Sequence, residues 1–419
     1  MNESLFQLET PCFVFDETEL ADNFHDFARA LHAHWSPASE VAYSIKTNPL
    51  PWILRTARTC GCMAEAVSDE EYELALACGF EPQRIVFNGP IKGRARFESA
   101  LEQGSLVNLD SARELRWLAE IARTTDRVLS VGLRASIDLE SHCPGQTVTG
   151  AAGGRFGYCY ENGELARAVQ AVRAIGPNVR IAGLHMHVTT RSRTVEVYRA
   201  LARHAAVIAR ELDLDLEFVD IGGGFFGGGE ANRGAYDAYA QAIAAELSAT
   251  FDPERTRLLV EPGGAVICTP GRYVGRVLDA KDTTYDRFVT CDLSRINIDH
   301  EMKKTAYAYE IVRHDPEAAP RRLARQVLCG YTCMESDRLC ILENEAELAE
   351  GDLIVIKHAG AYSMSFTPGF FIRFAPHVYV RKADGSFTDV GEASWRPARP
   401  GAPSAATFDN ASAESEESS

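Results

Sequence analysis

Through the first two thirds of the chain, short apolar runs alternate with stretches whose apolar residues recur every three or four positions. The runs are Val41–Lys46, Met63–Val67, Arg84–Asn88, Leu106–Leu109, Val128–Arg134, Ile181–Val188, Leu216–Ile221 and Leu258–Glu261. Between them, Ala112–Arg123, Val197–Glu211 and Tyr236–Leu247 carry the amphipathic helical period. Ser68-Asp69-Glu70-Glu71 reads as a capping box ahead of a helix over Tyr72–Cys78, with Gly79 as its stop. Strand and helix alternating eight times predict an α/β fold, a (β/α)₈ TIM-type barrel. A doubly wound sheet also alternates, but eight successive units favour closure.

After Pro262 the helical period fades. Gly275–Leu278, Arg287–Cys291, Gln326–Cys329, Leu353–Ile356 and His377–Val380 have the length and branching of strands, which predicts a β-rich domain. The expected division is an N-terminal segment, 1–30, whose run Pro11–Phe15 contributes a strand to the β-domain. The barrel follows over 31–265, the β-domain over 266–395, and a disordered acidic tail over 396–419.

Composition narrows the function. The chain has 419 residues, is 46% hydrophobic and 24% charged, and carries a formal net charge of −16. So negative a surface argues against nucleic acid as a partner. No apolar run is long enough to span a membrane, and Met1 to Leu8 lacks the basic-then-apolar order of a signal peptide. The eleven cysteines are odd in number and scattered, with Cys60 and Cys62 the closest pair, the usage of a reduced, cytoplasmic protein. A soluble enzyme of small molecules is the class that remains.

Barrel chemistry sits at the C-terminal ends of strands. The first strand ends at Lys46, where partial desolvation would lower the amine's pKa and suit it to Schiff-base formation; the plainer reading is a surface lysine opening a loop. The sixth strand ends His185-Met186-His187-Val188. Three uses compete for these histidines: a metal pair, a ring packed on a planar cofactor, and a hydrogen-bonded core group. No further histidine at the first or eighth strand end supports a metal, and none is expected. The seventh strand runs into Gly222-Gly223-Gly224-Phe225-Phe226-Gly227-Gly228-Gly229. That is too late in the chain for a dinucleotide fingerprint and well placed for a backbone phosphate cradle, against a flexible loop. The eighth ends at Glu261, either a partner for a ring nitrogen or an acid capping a turn. Pyridoxal 5′-phosphate (PLP) accounts for all four strand ends, because it needs an amine, a phosphate cradle, an acid at the pyridine nitrogen and a group against the ring.

In these motifs the chain resembles the fold type III PLP-dependent decarboxylases, the diaminopimelate and ornithine decarboxylase family, over Thr10 to about Phe374. The motifs stand as Tyr43-Ser44-Ile45-Lys46, His185-Met186-His187-Val188, Asp220-Ile221-Gly222-Gly223-Gly224-Phe225, Glu261-Pro262-Gly263, Gly330-Tyr331-Thr332-Cys333 and Gly360-Ala361-Tyr362. The opening Thr-Pro…Phe-Val-Phe-Asp is closer to the diaminopimelate branch. The resemblance implies an amino-acid substrate, loss of CO₂ from its α-carbon, and a C-terminal β-domain like that of alanine racemases. By it, Lys46 carries the cofactor aldehyde, His187 stacks on the ring and Glu261 pairs with the ring nitrogen. Gly222, Gly223, Gly224, Thr190 and Tyr362 hold the phosphate, while Glu65 and Arg134 support the cofactor. It also implies a homodimer with shared sites, Cys333 entering from the partner subunit as a general acid.

The chain departs from the pattern on the substrate side and at one phosphate contact. Gly264 replaces an arginine that helps neutralise phosphate, so Arg272 or another base is expected to supply that charge. Met334, with Glu335 one place later, stands where an acid after the cysteine binds a distal ammonium; leaving that ion unpaired would cost roughly 2–5 kcal/mol. The segment that reads a distal carboxylate survives as Met302-Lys303-Lys304-Thr305-Ala306-Tyr307, keeping Tyr307, with Lys303 but not the arginine. Lys303, Tyr307, Met334 and Glu335 are the candidate substrate contacts. Diaminopimelate and a less usual amino acid of a specialised biosynthetic pathway compete as substrate. Against decarboxylation itself stand two rivals, a PLP-dependent amino-acid racemase and a non-catalytic PLP-binding regulatory protein.

Overall fold

The computed structural model describes residues 2–299, 301–304, 306–317, 320–364 and 375–392. The expected acidic tail, 396–419, lies outside the described residues. The first strands in chain order are β1 (Cys12–Asp16), β2 (Glu40–Ser44), β3 (Met63–Ala66), β4 (Ile85–Phe87), β5 (Leu106–Leu109), β6 (Leu129–Ser136), β7 (Tyr158–Cys159), β8 (Val179–Met186), β9 (Phe218–Asp220) and β10 (Arg257–Val260). Eight of them pair in parallel in the order β5-β4-β3-β2-β10-β9-β8-β6, and the β5–β6 pairing closes the barrel. The two-residue β7, which the sequence pattern did not predict, extends β6.

Helices form where the amphipathic period and caps coincide. Ser68 Oγ accepts from Glu71 N–H at 3.2 Å, Glu71 reaches back to Val67 N–H at 2.8 Å, and the helix Asp69–Ala77 runs between Ser68 and a left-handed Gly79. Its apolar face, like those of its neighbours, joins the large core between the barrel wall and the outer helices.

The remaining strands are β11 (Gly271–Asp282), β12 (Arg287–Cys291), β13 (Tyr309–Val312), β14 (Arg322–Cys329), β15 (Arg338–Ala346), β16 (Leu353–Ile356), β17 (His377–Arg381) and β18 (Phe387–Glu392). They build a second, mixed sheet in which β1 lies between β11, antiparallel, and β17, parallel. The helix that follows β1, Glu17–His34, packs instead against β2 and the helix Arg233–Leu247, on the barrel. The chain thus starts in one domain and crosses to the other at Asp16.

Inside the barrel, Ala42, Met63, Val86, Ala182, Phe218 and Leu259 form a small apolar cluster. Phe218 fills the space left by two glycines: a Cβ at Gly183 would lie 2.1 Å from its Cζ, and one at Gly132 3.1 Å away. Gly183→Ala should therefore overpack the barrel and lower unfolding stability by about 1–3 kcal/mol, measurable by denaturant titration.

Candidate active site

Residues two apart on a strand share a face, so each inward core residue is followed by a second inward residue nearer the C-terminal mouth. Beyond Ala42, Met63, Val86, Phe218 and Leu259 stand Ser44, Glu65, Asn88, Asp220 and Glu261, all buried. A polar layer thus rests on an apolar one.

The layer is a connected network. Asn88 Nδ2 donates to Glu65 Oε1 at 3.1 Å and to Glu261 Oε1 at 2.5 Å, while its own Oδ1 accepts from Asn108 at 2.8 Å. Ser44 Oγ donates to Glu65 Oε2 at 2.6 Å. Lys46 follows β2 in a short turn, Ile45–Thr47, and its Nζ lies 2.8 Å from both Glu65 Oε2 and Ser44 Oγ.

Charge states follow from these contacts. Burial disfavours the Lys46 ammonium, but the charges of Glu65 and then Glu261 outweigh it and raise its pKa above the ordinary lysine range. The expectation of an amine made neutral by desolvation is therefore corrected: a carboxylate at 2.8 Å holds the proton on. With 42% of the Lys46 side chain facing the open cleft, water screens the pair without removing it. Asp220 and Glu261 divide one proton. Burial and the neighbouring Glu261 charge push Asp220 well up, so it keeps its hydrogen. Glu261 is held ionised: burial opposes its charge, but His185, the Asp220 hydrogen bond and Lys46 pull it well below the usual carboxylate range. His185, Asp220 and Glu261 each bring a donor atom within 4.8 Å of the others, the constellation of a metal ligand set, and the shared proton accounts for it as a carboxyl pair beside an imidazole.

His187 is neutral. Burial and the nearby Arg134 lower its pKa to about 3. Its Nδ1 accepts from Gly223 N–H at 3.2 Å, so Nε2 carries the hydrogen, and its ring lies nearly parallel to that of His185, at 17°. The glycine run after β9 wraps this histidine. Gly222 is left-handed, at φ +71°, and a Cβ there would come 2.6 Å from His187 Cβ; one at Gly223 would come 2.3 Å from the Glu261 carbonyl oxygen.

Most of these groups meet at one cavity of about 350 Å³. Its walls include Lys46, Glu65, Arg134, His187, Thr190, Gly223, Gly224 and Glu261, from strand ends scattered over the barrel sequence, and Tyr362 from the loop after β16; Gly222, Asn108 and Asp220 are not among them. Over residues 18–268, more than half of the chain, the sequence matches the family model described as "Pyridoxal-dependent decarboxylase, pyridoxal binding domain". The chain belongs to this family.

Among the relatives of this decarboxylase, the diaminopimelate decarboxylase of Zymomonas mobilis is 27% identical over 371 residues, 87% of this chain and 86% of that one. The crystal structure of the diaminopimelate decarboxylase of M. jannaschii superposes with a TM-score of 0.81 at 22% identity, covering 92% of this chain and 90% of that one. The Helicobacter pylori diaminopimelate decarboxylase complexed with L-lysine gives a TM-score of 0.77 at 23% identity, over 93% of this chain and 96% of that one. The barrel and mixed sheet are the fold of these structures.

The protein is accordingly a PLP-dependent amino-acid decarboxylase, a carboxy-lyase, and the cavity fits its cofactor. It offers an amine at the mouth, an ionised acid beneath, a neutral flat imidazole, and a glycine run whose backbone no side chain could replace. Other expected residues lie elsewhere. Cys333, Met334, Glu335, Lys303 and Tyr307 belong to the second domain and are not among the walls of this cavity. The turn bearing Cys333 is pinned by Asp337, which accepts from Thr332 Oγ1 at 2.7 Å, and Tyr307 donates to Asp299 at 3.1 Å. Lys303 pairs with Glu301 and Glu335 with Arg338 at the surface. Arg272 does not supply the missing phosphate charge: it sits opposite Val14 on β11 and lines a separate small cavity with Glu310 and Arg381.

Sequence reasoning passed over Asn88, Asn108, Arg155 and Arg193. The two asparagines were open to the period-two rule that places Glu65; the arginines lie on loops that carry no period. If Glu65 is what keeps Lys46 protonated, Glu65→Gln should lower the lysine pKa and leave more neutral amine at a given pH. Competitive acetylation of the cofactor-free protein across pH should then show Lys46 reacting at lower pH than in the parent.

Proposed function

We propose that the protein removes the α-carboxyl group of a diaminopimelate-like amino acid, working as a homodimer with shared sites in the cytoplasm. The observation that carries this is the connected set of Lys46, Glu65, Asn88 and Glu261 around one cavity, in a chain related over 87% of its length to a diaminopimelate decarboxylase. Bound PLP supplies the π system that accepts the electron pair left by departing CO₂.

This chain's residues prepare that chemistry. Lys46 Nζ is the amine that takes the cofactor aldehyde, with Glu65 2.8 Å away to hold or receive its proton. Glu261, held ionised, would accept a hydrogen bond from the protonated pyridine nitrogen and so favour its cationic form; Asn88 fixes its carboxylate by a 2.5 Å hydrogen bond. His187, neutral and clamped by Gly223 N–H, offers its ring face without adding positive charge. Gly222 to Gly224, Thr190 and the Tyr362 hydroxyl hold the phosphate, and Arg134 and Glu65 support the site. Cys333 of the partner subunit returns a proton to the substrate carbon. What supports the shared site is the exposure of Cys333 outside its own protomer's cavity. All eleven cysteines are free, which supports a reducing compartment, and no helix among the described residues is long and apolar enough to cross a membrane.

A second substrate class is favoured by Met334. A thioether beside Cys333 cannot satisfy a distal ammonium, which favours an amino acid whose far end is uncharged or modified. An amino-acid panel decides: CO₂ release is expected from meso-diaminopimelate, release only from acyl- or citryl-modified diamino acids would establish the second class, and release only from lysine, ornithine or arginine would reject both. Racemisation without CO₂ release would reject both. Mixing inactive Lys46→Ala and Cys333→Ala proteins should restore about a quarter of parental turnover, since half of randomly assorted dimers carry one intact site of two. No recovery on mixing would reject the shared site.

A further inference from the structure

A phosphate ester carries close to two negative charges at neutral pH, and the phosphate side of this cavity lacks its expected arginine. Gly264 leaves room there: a Cβ on it would meet only the Ala361 Cβ, at 3.9 Å. Three arginines line the cavity, and two are engaged on the ring side. Arg134 pairs with Asp110 at 3.4 Å and lies over the Phe156 ring, whose other neighbour is the Arg155 guanidinium, 4.0 Å from its centroid. Arg193 has no carboxylate or ring partner among the described residues.

The backbone of Arg193 is held while its guanidinium is free. Its φ is +53°, the left-handed region that disfavours a residue with a side chain. On either side, Ser192 and Thr194 both donate to Gln146 Oε1 at 2.6 Å, and the Tyr239 hydroxyl donates to the Arg193 carbonyl. The loop therefore aims the residue rather than merely carrying it.

Its surroundings tell where it aims. Arg193 lines the cavity together with Gly223, Gly224, Phe225, Gly263 and Gly264. Tyr198 donates to the Gly223 carbonyl at 3.3 Å, Tyr239 accepts from Phe226 N–H at 3.3 Å, and Cys268 N–H bonds the Gly264 carbonyl at 3.1 Å. Arg193 thus shares a cavity wall with the glycine run and with the turn that begins at Gly264, the two halves of the cradle. We propose that Arg193 is a phosphate-binding residue of this decarboxylase, supplying from the loop after β8 the charge that Gly264 cannot. A planar guanidinium can meet two phosphate oxygens at once. The inference rests on the assignment of Gly222–Gly224 to the cofactor phosphate.

The test compares PLP with pyridoxal, which lacks the phosphate. Holoenzymes of the parent and of Arg193→Gln, each loaded with either aldehyde, are dialysed against graded concentrations of the same aldehyde, and bound cofactor is read from visible absorbance. The PLP dissociation constant should rise roughly 10- to 100-fold in Arg193→Gln, the cost of one charge-assisted hydrogen bond or pair, while pyridoxal binding stays at the parental value. An unchanged PLP constant, or equal weakening for both aldehydes, overturns the role of Arg193. A parent that holds pyridoxal as tightly as PLP overturns the phosphate assignment of the glycine run itself.

Discussion

The bridge that Asn88 makes between Glu65 and Glu261 is the interaction on which the site depends. Two buried carboxylates inside one barrel repel, and neither could stay ionised without compensation. One amide donates to both, at 3.1 and 2.5 Å, and is itself oriented by Asn108. Lys46 lies against one carboxylate, and the Asp220 proton and His185 stand beside the other. An acid held ionised and an amine held cationic are thereby kept in one small volume, which a cofactor of opposing chemical demands requires.

The second domain contributes to this order. Tyr362 N–H bonds the Thr47 carbonyl at 2.9 Å, and Asn48 Nδ2 bonds the Gly360 carbonyl at 2.9 Å. The turn that bears Lys46 is therefore held from below by the barrel and from above by the loop after β16. Because β1 sits in the centre of the mixed sheet while its following helix packs on the barrel, the two domains share one chain segment. Loss of either domain would disturb the lysine.

Departures from the family pattern are unevenly distributed. The network beneath the cofactor is complete, whereas Gly264, Met334 and Lys303 differ at its edges. Buried charges leave little freedom, since each change strands a partner; positions at a surface face water and tolerate substitution at smaller cost.

Periodicity alone determined much of this protein. The eight parallel strands, the capped helix after Ser68 and the β-rich second half were legible because buried faces impose a local pattern. Lys46, His187, Glu261 and the glycine run were legible because strand ends in a barrel point to one mouth. Strand β15, with its charged Arg338–Ala346 sequence, was missed because this outer strand buries only Leu339, Cys340 and Leu342, too few apolar positions to stand out as a run. Three things only the tertiary structure decided. Lys46 is cationic, because Glu65 comes to 2.8 Å from another strand. Arg272 lies away from the main cavity, and Arg193, on a loop without period, lines it. Proton positions and charge partners depend on distances between residues far apart in sequence, and no local pattern encodes those distances.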